Sequence, residues 1–94
     1  MSKNVFHPTP DGFLKFFVNW FNENVANFDV EDIELKDAYI VWFNYTLGNA
    51  KCLISTTLMD HKYYEVTYNG VEQCIYVDMY IKIRNQSCKV DEYA

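Results

Sequence analysis

Apolar side chains recur with a helical period near the start of the chain. At about 100° per residue, Phe13, Leu14, Phe17, Val18, Phe21, Val25 and Phe28 fall on one side. Lys15, Asn19, Asn22, Glu23 and Ala26 fall opposite. Thr9-Pro10-Asp11 reads as the start of this helix. Thr can cap, Pro suits the first helical position, and Asp complements the positive end of the helix dipole. The pattern predicts a helix over about 10–28. Phe16 and Trp20 sit on its shoulder and widen the apolar arc to roughly 200°, where roughly 100° suffices to dock one face on a core. The surplus calls for cover by the N-terminal arm Val5-Phe6, by a loop or by a partner.

From about residue 37 the period becomes 2, which predicts strands over about 37–47, 51–58, 63–68 and 71–84. Gly48-Asn49 fits a two-residue hairpin turn and would pair Phe43 with Ile54 and Trp42 with Ser55. Asn69-Gly70 is the strongest hairpin signal and would pair Tyr64 with Ile75 and Tyr63 with Tyr76. One sheet face then collects Val41, Phe43, Ile54, Val66, Ile75, Val77, Met79 and Ile81. The other collects Trp42, Ser55, Tyr63, Glu65, Thr67, Tyr76, Asp78 and Tyr80, and Ile40 points with it. Matching these faces requires a bulge or an odd-length loop near Met59–Lys62. A helix beginning at Asp78 is the alternative for the last strand, and 85–94 reads as a polar tail. The expected architecture is α+β: one domain over 1–94, an N-terminal helix packed on a four-stranded antiparallel meander sheet with an open second face. Phe13, Phe17, Phe21, Phe28 and Phe43 are assigned to its core.

Composition narrows the chemistry. Two Trp, eight Tyr and seven Phe in 94 residues exclude a disordered chain. Thirteen acidic against eight basic residues give a net charge of −5, which disfavours an electrostatic nucleic-acid binder. The N-terminal residues form no apolar stretch of signal-peptide length, and no later run approaches a membrane span. The expectation is a protein of the cytosol with free thiols at Cys52, Cys74 and Cys88.

Candidate catalytic groups do not converge. Cys52 is expected to point into the core, Cys74 onto the open face, His61 into a turn and His7 into the arm. No Cys–His spacing stands out. Glu65 and Asp78 share the open face, but a flat sheet is a poor place to shift a carboxyl pKa. There is no zinc spacing and no glycine-rich phosphate loop. The reading is a non-enzyme with no cofactor and no metal.

Three features suit binding instead. Trp42, Tyr63, Tyr76 and Tyr80 share the open face and can anchor a partner, although Tyr and Thr also suit solvent-facing strands for their own sake. Asp29, Glu31, Asp32, Glu34 and Asp37 make the densest charge in the chain. It is either a solvated loop or an anionic surface for a basic groove. Phe16 and Trp20 form the third, with the arm as the competing cover.

The blocks Ala38-Tyr39-Ile40-Val41-Trp42, Lys51-Cys52-Leu53-Ile54-Ser55-Thr56-Thr57, Tyr63-Tyr64-Glu65-Val66-Thr67-Tyr68-Asn69-Gly70 and Ile75-Tyr76-Val77-Asp78-Met79-Tyr80-Ile81-Lys82 resemble a family of short phage and prophage proteins of Gram-positive bacteria, a domain of unknown function. The resemblance covers Asp37–Arg84 and departs from the family pattern at Asp60-His61-Lys62 and in its thinned basic end, Lys82 and Arg84. It carries no catalytic residues over. It implies an accessory protein of the host bacterial cytosol that binds a host enzyme or an antiviral defence complex, CRISPR-associated nucleases included. The expected function is therefore inhibitory protein–protein binding of an anti-CRISPR-like kind. The alternative is a phage replication or recombination accessory touching single-stranded nucleic acid through the aromatic face. A homodimer, through that face or the last strand's edge, is the third reading.

Overall fold

The computed structural model describes residues 6–93. Helix α1 spans Pro10–Asn24 and starts as its sequence dictates, with the Gly12 N–H donating to the Thr9 hydroxyl at 3.1 Å. Gly12 also lets the arm fold back, since a Cβ there would collide with the His7 carbonyl. Phe13, Phe17 and Phe21 are fully buried, each contributing about 1.5–3 kcal/mol by leaving water.

The helix stops four residues short of the expected Phe28. The N–H groups of Val25 and Ala26 both donate to the Phe21 carbonyl. Asn27 then turns the chain, its Oδ1 accepting from Asp29 and Val30 at 2.8 and 3.0 Å. Asn side chains compete with helix in this way. Phe28, assigned to the core by period, is consequently fully exposed. The acidic stretch that follows is pinned at one residue. Ile33 is buried, and the Asn22 side chain both donates to its carbonyl at 3.0 Å and accepts from its N–H at 2.8 Å. A 3₁₀ turn, Leu35–Asp37, then leads into the sheet, with the Glu34 N–H donating to the Asp37 carboxylate at 2.9 Å.

Four antiparallel strands follow in the order β1-β2-β3-β4: β1 Ala38–Thr46, β2 Asn49–Thr56, β3 Lys62–Asn69 and β4 Cys74–Ile81. With α1 on one face, this is the expected α+β arrangement. The registers differ from expectation in instructive ways. The first turn is Leu47-Gly48, both at positive φ (52° and 82°), so Phe43 faces Cys52 and Trp42 faces Leu53. Two residues at positive φ match the twist of a hairpin, and the shift of two leaves the faces unchanged. A bulge between Ile40 and Trp42 does change them. It puts Ile40 opposite buried Ile54, on the core side, and leaves Val41 exposed, the reverse of simple alternation.

The β2–β3 loop holds five residues, 57–61, which supplies the odd length that face matching demands. The β3–β4 connection is a four-residue loop, 70–73, rather than a two-residue turn. Asn69 Oδ1 organises it by accepting from Val71 and Glu72 at 3.0 and 3.1 Å. Tyr64 therefore faces Met79, not Ile75, and Tyr63 faces Tyr80, not Tyr76. Asp78 lies inside β4, so the alternative helix from that residue does not form. The strand stops at Ile81, short of the expected residue 84, because β3 begins at its partner Lys62. A short helical turn, α2, spans Val90–Tyr93 within the segment read as tail.

The core lies between α1 and the inner sheet face. Tyr64 sits at its centre, its ring 4.8 Å from Phe17 and 6.1 Å from both Phe21 and Trp20, centroid to centroid. Cys52, Ile54 and Val66 complete it, fully buried.

Candidate interaction surface

The outer sheet face is built from three rows that run across the strands. Tyr39, Ser55, Tyr63 and Tyr80 form one. Trp42, Leu53, Glu65 and Asp78 form the next, and Asn44, Lys51, Thr67 and Tyr76 the third. Period 2, with the odd-length loop that face matching demands, places Trp42, Tyr63, Tyr76 and Tyr80 on one face, and the structure puts all four there, Trp42 on edge strand β1, Tyr63 on β3 and Tyr76 and Tyr80 on the opposite edge strand β4. Trp42, Tyr76 and Tyr80 are 40%, 52% and 51% exposed, while Tyr63 is half-buried. Leu53 and Tyr39 belong to the same surface, although simple alternation along β1 puts Tyr39 on the opposite one. The bulge turns Tyr39 outward, and no composition or period marks a bulge in a strand without glycine.

Polar groups order this face. The Tyr80 hydroxyl donates to Glu65 at 3.5 Å, and the Tyr76 hydroxyl donates to Glu72 at 3.3 Å. The charge of Glu72 raises the Tyr76 pKa, and that of Glu65 raises the Tyr80 pKa. Both phenols therefore stay neutral donors. Lys51 approaches Glu65 at 3.8 Å, and Lys82 stands 6.0 Å above the Tyr63 ring. The surface thus combines amphipathic rings with carboxylates, a composition suited to a protein partner and ill suited to a phosphate backbone.

The other candidate residues lie elsewhere. Asp29, Glu31 and Asp32 are exposed on the segment held by Asn22. Glu34 is exposed and lies 3.6 Å from Lys36, whereas Asp37 spends its carboxylate on the Glu34 backbone. Phe16 and Trp20 are on the helix layer, away from the open face, and both are half-buried. Phe6 covers Phe16 at 6.1 Å and also touches Phe13 and Tyr68. Trp20 stacks on Phe17 at 6.2 Å. Val5, the arm's other expected covering residue, lies outside the described residues. Beside Phe16 and Trp20 runs an open groove of about 910 Å³, which His7, Lys15, Glu23 and Leu35 also line.

The thiols are disposed differently from one another. Cys52 is buried, and burial pushes its thiol up to about 12, which keeps it an unreactive neutral group. Cys74 and Cys88 are exposed. Among the described residues, no three His, Cys, Asp or Glu side chains converge as a metal ion would require. No helix there is long and apolar enough to cross a membrane. One polar atom stands out: the Tyr64 hydroxyl, buried with no hydrogen-bond partner.

No curated protein and no solved structure matches the sequence. Residues 13–90 match a family of unknown function, DUF6275, and the chain belongs to that family.

Proposed function

We propose that this DUF6275 member acts by binding another protein, with the outer sheet face as its docking surface. The observation that carries the reading is the exposure of Trp42 on β1 and of Tyr76 and Tyr80 on β4, all half open on one sheet face that no described element covers. Rigid amphipathic rings flanked by carboxylates make good anchors, because they lose little conformational entropy on docking. The acidic residues Asp29, Glu31, Asp32 and Glu34 supply a second, steering surface for a basic target.

The finer reading follows the resemblance to phage and prophage proteins. The partner is a host nucleic-acid-handling enzyme or an antiviral defence complex, with CRISPR-associated nucleases in that class, and the effect of binding is inhibition in the bacterial cytosol. Affinity capture from host lysate tests both levels, using the wild type, a W42A/Y76A/Y80A variant, and a variant with all five acids from Asp29 to Asp37 made neutral. Retained recovery by the aromatic variant refutes the docking face. Retained recovery by the neutral variant refutes the charge role.

The competing reading uses the aligned Tyr39, Tyr63 and Tyr80 rings as a stacking platform for single-stranded nucleic acid. Glu65 and Asp78 beside them oppose it. A binding assay at about 50 mM salt, where phosphate contacts are strongest, decides it.

A further inference from the structure

The sheet has two free edges, and they are not equally guarded. β1 is broken by the bulge at Val41, a common device against edge-to-edge pairing. β4 pairs with β3 without a register shift and contains neither Gly nor Pro. Just past it, the Lys82 N–H donates to the His61 carbonyl at 2.8 Å. The even-numbered residues of β4 therefore turn their backbone groups toward β3. In an antiparallel ladder the alternate residues turn theirs away. Val77, Met79, Ile81 and, along the same alternation, Ile83 thus offer N–H and C=O groups at the open edge. The side chains of Val77, Met79 and Ile81 are apolar and stand on the helix side of the sheet, where α1 crosses β1 and β2 and reaches Tyr64 on β3, and of the three only Val77 packs against the core. Met79, Ile81 and Ile83 are left 44%, 60% and 92% exposed. An apolar edge of this kind invites another strand.

Charge selects which strand. On its other face the segment reads Tyr76, Asp78, Tyr80, Lys82 and Arg84. Laid antiparallel on a second copy about Tyr80, Asp78 faces the partner's Lys82, and Tyr76 faces the partner's Arg84. On the helix side, Met79 then faces the partner's Ile81, and Val77 faces the partner's Ile83. Centring the pair on Asp78 or on Lys82 would oppose like charges, which destabilises a cross-strand pair. Outward backbone groups meet outward backbone groups in this register, giving about eight inter-chain hydrogen bonds.

We propose that the protein is a symmetric homodimer in which β4 pairs with β4 of a second copy about Tyr80, forming one eight-stranded sheet. Lys82, Ile83 and Arg84, which run past the end of β3, gain their partner in the second copy. The contact is isologous and closes on itself. It rests on the edge and its charges, independently of the docking reading above, and stands or falls whether or not another partner is found.

Sedimentation equilibrium of the full chain, at up to about 100 μM, tests this. The expected result is a dimer. M79P removes an outward N–H and leaves the β3 ladder intact. D78K sets like charges against the partner's Lys82 while pairing favourably with Glu65 across its own sheet. Each is expected to weaken dimerisation at least about tenfold, and D78K/K82D to restore it. Circular dichroism checks that each variant is folded; should M79P unfold, the charge-swap series carries the test. A wild-type monomer at the highest concentration overturns the proposal. So does a dimer indifferent to a folded M79P, or a charge swap that restores nothing.

Discussion

Replacing Tyr64 with Phe should stabilise this protein, although Tyr64 is at the centre of its core. The ring contacts with Phe17, Phe21 and Trp20 survive the change. What is lost is a hydroxyl that is buried and bonded to nothing. Leaving such a group unpaired costs about 1–3 kcal/mol, so Y64F should gain about 1–2 kcal/mol. That corresponds to a rise in Tm of roughly 5–15 °C for a domain of this size. The alkaline limb should change as well. Burial, aided by the charge of Asp60, pushes the Tyr64 phenol from 10.0 up to about 12. Above pH 10 the unfolded chain loses this proton and the folded chain keeps it. The contribution is intact below the unfolded value and lost as pH rises through the folded one. About two pKa units correspond to about 2.7 kcal/mol at most. Cys52 acts in the same direction from its ordinary 9.0 toward about 12, so Y64F should flatten the alkaline loss without abolishing it. Urea unfolding of both proteins at pH about 7 and about 10.5 measures both effects. A Y64F variant less stable than wild type by more than about 1 kcal/mol at neutral pH would refute the reasoning, because it would mean that the hydroxyl is satisfied.

Asn22→Ala should cost about 1–3 kcal/mol by urea unfolding, since it strips both hydrogen bonds from the Ile33 backbone. Under native conditions a thiol reagent should modify Cys74 and Cys88 quickly and Cys52 only on unfolding; rapid reaction of all three would contradict the burial of Cys52. Leu47→Gly should stabilise by about 0.5–1 kcal/mol in a thermal melt, because Leu47 is held at φ 52° in the hairpin turn.

Much of the candidate surface is legible in the amino-acid sequence. Trp42, Tyr63, Tyr76 and Tyr80 share a face because side chains alternate along a strand, and that holds for every hairpin register shifted by an even number of residues. Tyr39 is not legible, since its direction depends on a bulge whose extra residue, Val41, looks like any other strand valine. Phe28 misleads for a related reason. It keeps the helical period but sits beside Asn27, whose side chain captures two backbone N–H groups and redirects the chain.

By itself the amino-acid sequence determines the main helix, the four strands, their order and the parity of each strand away from the bulge in β1. It does so through periodicities of 3.6 and 2 and through caps and turn residues that act locally. It could not determine the strand registers. The first hairpin lies two residues from its simplest turn, and the second lies four away. Every even shift leaves the same side chains on the same face, so the hydrophobic pattern is blind to the choice. Tertiary structure makes that choice through backbone that must close. Leu47 and Gly48 accept positive φ, Asn69 organises a four-residue loop, and the bulge at Val41 turns Ile40 toward the core around Phe17 and Tyr64.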